Sequence, residues 1–124
     1  MSKITENFSL QEFDCKDGSL MPNDVMINVI QLAKNLQVLR DYLNVSITVN
    51  SGYRSPKYNK RIGGVKNSQH LTGKASDITA KGFTPREVAN AIDKLIKEGK
   101  MMQGGIGVYP SFTHYDIRGT KARW

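Results

Sequence analysis

Ser68-Gln69-His70-Leu71-Thr72-Gly73-Lys74-Ala75-Ser76-Asp77 is the stretch that decides how this chain is read. Gly73 permits a sharp bend, so the backbone can leave His70, fold back and enter a strand at Asp77-Ile78. Ala75 is small enough for the two segments to pack closely. Such a turn can bring an imidazole and a carboxylate around one ion. A histidine seven positions before an aspartate is weak evidence alone, and an exposed loop histidine beside a strand-end aspartate is the plain alternative.

Working outward, the segments on either side have clear periods. Upstream, Val25, Met26, Val29, Ile30, Ala33, Leu36, Leu39 and Leu43 recur at three- and four-residue steps, the pattern of an amphipathic helix, with Asn23 as its expected N-cap. Ser46-Ile47-Thr48-Val49-Asn50 alternates and reads as a strand. Residues 51–69 form a long Gly-, Ser- and Lys-rich loop with a short helix expected around Pro56–Lys60, and loops of this length in compact domains tend to carry function. Downstream, a strand is expected over 76–80. Thr84-Pro85-Arg86-Glu87 has the form of a capping box, opening a helix that buries Val88, Ala91, Ile92, Leu95 and Ile96 and stops at Gly99. Strands over 105–109 and 112–117 follow, joined at Pro110-Ser111. The order predicts an α+β fold: a small antiparallel sheet with two main helices. Residues 1–22 read as a loosely structured N-terminal arm with one amphipathic piece at Phe8, Leu10 and Phe13, ahead of a single domain over 23–124.

The second chemical cluster is Phe112-Thr113-His114-Tyr115-Asp116-Ile117-Arg118. On a strand, Phe112, His114 and Asp116 share one face. Burying an imidazole and a carboxylate there without partners costs several kcal/mol, so this face is expected to line a polar site. His70, Asp77 and His114 together offer two imidazoles and a carboxylate, a set that suits one catalytic zinc ion with a position left for water. The chain has only these two histidines and contains no HExxH pair and no G-x-S-x-G elbow.

Composition bounds the rest. With 124 residues and 39% hydrophobic side chains, the chain makes one domain. A single cysteine, Cys15, excludes an intramolecular disulfide, and acidic neighbours Asp14 and Asp17 disfavour its thiolate. Eighteen Lys and Arg against 11 Asp and Glu leave a net charge of +7, which favours an anionic partner. No apolar run is long enough to span a bilayer, so no membrane insertion is expected. The opening residues lack a signal-peptide core, which predicts cytoplasmic synthesis without a leader.

The ten-residue motif resembles the signature of the zinc D-alanyl-D-alanine metallopeptidases, whose fold is shared with lysostaphin-type enzymes and the hedgehog signalling domain. The resemblance extends to Asn50-Ser51-Gly52-Tyr53-Arg54-Ser55, to Gly63-Gly64, and to Gly105-Ile106-Gly107-Val108-Tyr109 with the closing His114-x-Asp116-x-Arg118-Gly119. It implies His70, Asp77 and His114 as ligands of one Zn2+ per chain. It also implies Arg54 as a catalytic residue that binds substrate and steadies an oxyanion, with Tyr53 and Ser68 as further substrate-binding residues. Ser68 is expected either to shape the loop or to touch substrate. Many members carry an acidic general base three residues before the last histidine, where this chain has Ser111. Asp116 is the expected substitute, either as base or as the residue that orients the site.

The implied activity is hydrolysis of peptidoglycan stem peptides, as a D-Ala-D-Ala carboxypeptidase or as a cross-link or L-Ala-D-Glu endopeptidase. The implied setting is a monomeric phage or prophage endolysin acting on the cell wall after release through a separate pore. Two rivals stand beside it. A non-catalytic zinc-containing wall-binding module or phage tail component keeps the fold without the activity. A nucleic-acid binder would use the interleaved Tyr53-Arg54-Ser55-Pro56-Lys57-Tyr58 segment, and no nucleic acid is expected on balance.

Overall fold

Helix α1 (Asn23–Leu43) forms where the apolar spacing demands it, and Val25, Val29, Leu32, Ala33, Leu36 and Leu39 are buried along one stripe. Its capping position falls on Pro22 rather than Asn23, and no side chain caps it. The computed structural model describes residues 2–124. After α1 come β1 (Ile47–Ser51), α2 (Pro56–Arg61), β2 (Ala75–Ala80), α3 (Pro85–Lys97), β3 (Gly105–Val108), β4 (Thr113–Asp116) and β5 (Ala122–Arg123). Short 3-10 turns lie at Leu10–Phe13 and Gln69–Thr72. The Thr84 capping box is present in full: Thr84 Oγ1 accepts the Glu87 N–H, and the Glu87 carboxylate accepts the Thr84 N–H. No helix among the described residues is long and apolar enough to cross a membrane.

The fold is α+β, as expected, but its sheet is mixed. The strand order is β1-β2-β4-β3-β5, antiparallel throughout except that β5 runs parallel to β3. A two-residue strand shows no periodicity, which is why β5 escapes a sequence reading. The arm expected to be loose over residues 1–22 is docked on the core in its described part. Phe8, Phe13 and Cys15 are buried in the same core as α1, and the Phe13 carbonyl accepts the Tyr53 N–H at 2.8 Å. Gly52 makes this docking possible, since a β-carbon there would stand 2.7 Å from Phe13 Cα.

Side-chain alternation sends Ile78, Thr113, Tyr115 and Ile106 into the core, and Thr113 Oγ1 donates to the Pro85 carbonyl at the start of α3 (2.9 Å). The opposite face carries the chemistry. Across the sheet, Ser51 pairs with Asp77, Asp77 with His114, and His114 with Gly107. A register shift between Val49 and Ser51 inserts one residue into β1, so that Ser51 rather than Asn50 stands opposite Asp77.

Candidate metal centre

His70 sits on the Gln69–Thr72 turn, which Ser68 caps by accepting the His70 N–H at its Oγ (3.1 Å). Gly73 ends the turn at φ 77°, the left-handed conformation that its lack of a β-carbon favours. The bend delivers the chain to β2, where Asp77 meets His70: Nε2 lies 3.2 Å from Asp77 Oδ1. His114 Nδ1 lies 3.2 Å from that same oxygen. The three side chains are buried, and their ligand atoms lie within 4.8 Å of one another.

The remaining ring nitrogens assign the protons. His70 Nδ1 is 2.7 Å from the Gly52 carbonyl, which can only accept, so Nδ1 carries the hydrogen and Nε2 presents a lone pair. His114 Nε2 is 2.7 Å from the Asp116 carboxylate, so by the same argument its Nδ1 faces Asp77 as an acceptor. Three electron-pair donors directed at one point repel unless a cation or a ring proton lies among them. The donor set, two neutral imidazoles and one carboxylate, fits zinc.

Asp116 has no exposed side-chain surface. Its Oδ1 accepts from the Gly105 N–H (2.9 Å), the Arg118 N–H (3.1 Å) and Arg118 Nε (2.9 Å), and its Oδ2 from His114 Nε2 and Arg118 Nη2 (2.7 Å each). Burial raises its pKa, but the hydrogen bonds from His114, Arg118 and Gly105 outweigh that and hold it well below the usual carboxylate range. In the metal-free centre, where a ring proton takes the ion's place, burial pushes Asp77 up and hydrogen bonds donated by His114 and His70 bring it below the ordinary value. His114 is pushed down by burial and up by Asp116 and Asp77, with the rise prevailing.

The centre opens into a cleft of about 520 Å³. One wall is the loop of Gly63, Gly64, Asn67 and Ser68 with Arg54, and the other is Tyr109, Phe112, Trp124 and Arg118. Arg54 is held on three nitrogens: Nε donates to Ser51 Oγ (3.2 Å), Nη1 to Asn59 Oδ1 (3.3 Å) and Nη2 to Asp77 Oδ2 (3.1 Å). The Asn59 side chain lies over Gly64, where a β-carbon would collide with it.

The structure therefore brings Arg54, Ser68, His70, Asp77 and His114 to one cleft. It does not bring Tyr53, which is 5% exposed and packs in the core with Phe13. Asp116 lies behind His114, outside the cleft lining. Ser111 is exposed on the turn between β3 and β4, and the one acidic side chain lining the cleft is Asp77. Sequence reasoning passed over Trp124 and Arg118 as site residues. Trp124 is delivered by β5, whose sequence carries no strand signal. Arg118 was legible only as one more position of the closing motif.

The model of the family described as Peptidase M15 matches residues 5–116. The chain belongs to the peptidase M15 family. Among curated relatives of this M15 chain is a probable peptidoglycan L,D-endopeptidase, MepK, of Haemophilus influenzae, 33% identical over 96 residues. That match covers 72% of this chain and 48% of the relative. A zinc D-Ala-D-Ala carboxypeptidase of Streptomyces albus G is 34% identical over 73 residues, covering 56% of this chain and 29% of the relative. The chain thus spans half or less of the length of either. The crystal structure of the Serratia marcescens L-Ala D-Glu endopeptidase ChiX superposes with a TM-score of 0.53 at 20% identity, covering 78% of this chain and 88% of that one, which shows the shared fold.

Proposed function

We propose that this M15 member is a zinc-dependent peptidoglycan peptidase that hydrolyses an amide bond of the stem peptides. The observation that carries the reading is the convergence of His70 Nε2, Asp77 Oδ1 and His114 Nδ1 at the floor of an open cleft, each imidazole locked by its other nitrogen. These three side chains would hold the zinc, which supplies a Lewis acid for the scissile carbonyl and activates water near neutral pH. Arg54, fixed by Ser51, Asn59 and Asp77, holds the negative charge that develops on the carbonyl oxygen. Ser68 acts by holding the His70 turn in shape, although it also borders the cleft. Asp116 acts by fixing the His114 tautomer, because its lone pairs are taken by five N–H groups and it does not reach the cleft.

The relatives include both a carboxypeptidase and endopeptidases, so either a D-Ala-D-Ala end or an L-Ala-D-Glu or cross-link bond is the target. The charge of +7 suits work on an anionic wall, and an endolysin of phage or prophage origin is the setting we propose. A second reading, a zinc-bearing wall-binding module, draws on one observation: the cleft holds no carboxylate besides the ligand Asp77. Digestion of purified peptidoglycan by zinc-loaded protein, with mass analysis and a chelated control, separates the two. New fragments that vanish with chelator and return with zinc are the expected result, and their masses name the bond. Intact peptidoglycan in the presence of zinc-loaded protein would favour the binding module.

A further inference from the structure

Arg118 is a second guanidinium in the cleft, and it is held differently from Arg54. Its Nε and Nη2 form a fork on the two oxygens of Asp116 (2.9 and 2.7 Å), and its Cζ lies over the Trp124 indole, 5.4 Å from the ring centroid. Trp124 is itself fixed, since its Nε1 donates to Tyr109 Oη (2.7 Å) and its ring covers Gly107, where a β-carbon would stand 2.5 Å away. The guanidinium is thus pinned along one edge, with the indole beside it. Its Nη1 makes no hydrogen bond among the described residues, and the side chain is 29% exposed as part of the cleft wall. A guanidinium carries five N–H donors, so the Nη1–Nη2 end remains open for a planar, bidentate acceptor.

Charge around the centre points the same way. Arg54 neutralises Asp77, and Arg118 neutralises Asp116. A divalent ion on the three ligands would leave the cleft with an uncompensated positive charge, which a carboxylate on the bound molecule would balance. Arg118 stands on the His114 side and Arg54 on the Asp77 side, so a peptide lying across the ligands is flanked by both.

We propose that the open end of Arg118, backed by Trp124, binds a free α-carboxylate on the residue that supplies the scissile nitrogen. The inference rests on the peptidase reading above and narrows it to substrates bearing that acid. Two of the candidate bonds meet this requirement in simple form: the terminal D-Ala of a D-Ala-D-Ala end and the D-Glu of an L-Ala-D-Glu bond each carry a carboxylate one carbon from the nitrogen.

The test compares N-acetyl-L-alanyl-D-glutamate with N-acetyl-L-alanyl-D-isoglutamine, and N-acetyl-D-alanyl-D-alanine with its C-terminal amide. The zinc-loaded protein is expected to prefer the acid of the cleaved pair by about 10-fold or more in kcat/KM, the size of one charge-assisted contact. Arg118→Gln is expected to bring that preference to within about 2-fold, chiefly through KM for the acid. Because Arg118 also anchors Asp116, Arg118→Lys is the variant read if Arg118→Gln fails to hold zinc, and there the preference falls to about a third or less. A second readout needs no turnover. Trp124 is the only tryptophan, so in metal-free protein the acids, but not the amides, are expected to change its fluorescence on titration. Equal use of acid and amide by the unaltered protein, an undiminished preference in the Arg118 variant that is read, or equal fluorescence responses to acids and amides would each overturn the assignment. Failure to cut either pair or whole peptidoglycan would sink the peptidase reading instead, while the fluorescence titration still decides the Arg118 site.

Discussion

The two histidines of the centre are held by different means. The His70 ring is held by backbone, its Nδ1 resting on the Gly52 carbonyl; its own carbonyl accepts the Arg54 N–H, and the Ser68 hydroxyl caps its amide. His114 is held by side chains: Asp116 two residues along its own strand, Arg118 just beyond that strand, and Trp124 from the β5 edge, with ring centroids 4.9 Å apart. A backbone acceptor persists through any substitution that keeps the fold. A carboxylate partner is removed by a single atom change. The His114 side should therefore be the fragile one, with zinc affinity tuned there and catalytic geometry set on the Arg54 side.

The largest effect expected is common to both sides. His70→Ala and His114→Ala should each lose stoichiometric zinc, measured by metal analysis, and hydrolysis should fall to the chelated background. If either variant keeps both zinc and activity, the ligand assignment is wrong. Next, Arg54→Lys should lower kcat by about 10²–10³-fold with zinc content unchanged, because an ammonium cannot reproduce the fork that steadies an oxyanion. A loss confined to KM would instead make Arg54 a binding residue.

The fragility contrast is tested by Asp116→Asn and Ser68→Ala. Asp116→Asn should weaken zinc about 10- to 100-fold, with turnover recovered at excess zinc. Turnover that stays low in the zinc-saturated variant would return Asp116 to the role of general base. Ser68→Ala removes one cap and should cost about 1 kcal/mol in denaturant stability with little change in zinc affinity. A larger zinc loss from Ser68→Ala than from Asp116→Asn would reverse the contrast.

Acid stability follows from the same groups. Asp77 and Asp116 have folded pKa values below their ordinary value of 3.8, so the unfolded chain binds protons first. Their contribution is complete above about pH 4 and is lost as the pH falls toward the folded values. Metal-free protein should therefore lose thermal stability below about pH 4, and Asp116→Asn should flatten that slope. An unchanged slope would mean Asp116 is not strained toward ionisation as its five donors imply.

Much of this was legible in residue order because it is local. The α1 stripe, the Thr84 capping box and the Gly73 bend depend on neighbours within a few positions, and each stands where its spacing puts it. So does the His114–Asp116 shared face, since strand alternation is local as well. What the residues concealed was remote. The docking of Phe13 depends on the distant Gly52 leaving room for its backbone, and Tyr53, adjacent to Arg54, turns into the core where the strand ahead of it carries a register shift and the chain is docked on Phe13.

Spacing and residue type alone were enough to nominate His70, Asp77 and His114, because metal chemistry restricts which side chains can serve and a bend restricts where they can stand. They did not reveal that Asp116 is buried behind its histidine or that Trp124 and Arg118 wall the cleft. Those facts depend on which strands become neighbours: β3 between β4 and β5, with Gly105 and Gly107 leaving space for Asp116 and Trp124. Strand pairing is a contest among distant segments, settled by how the whole core packs, and no short window of residues contains it.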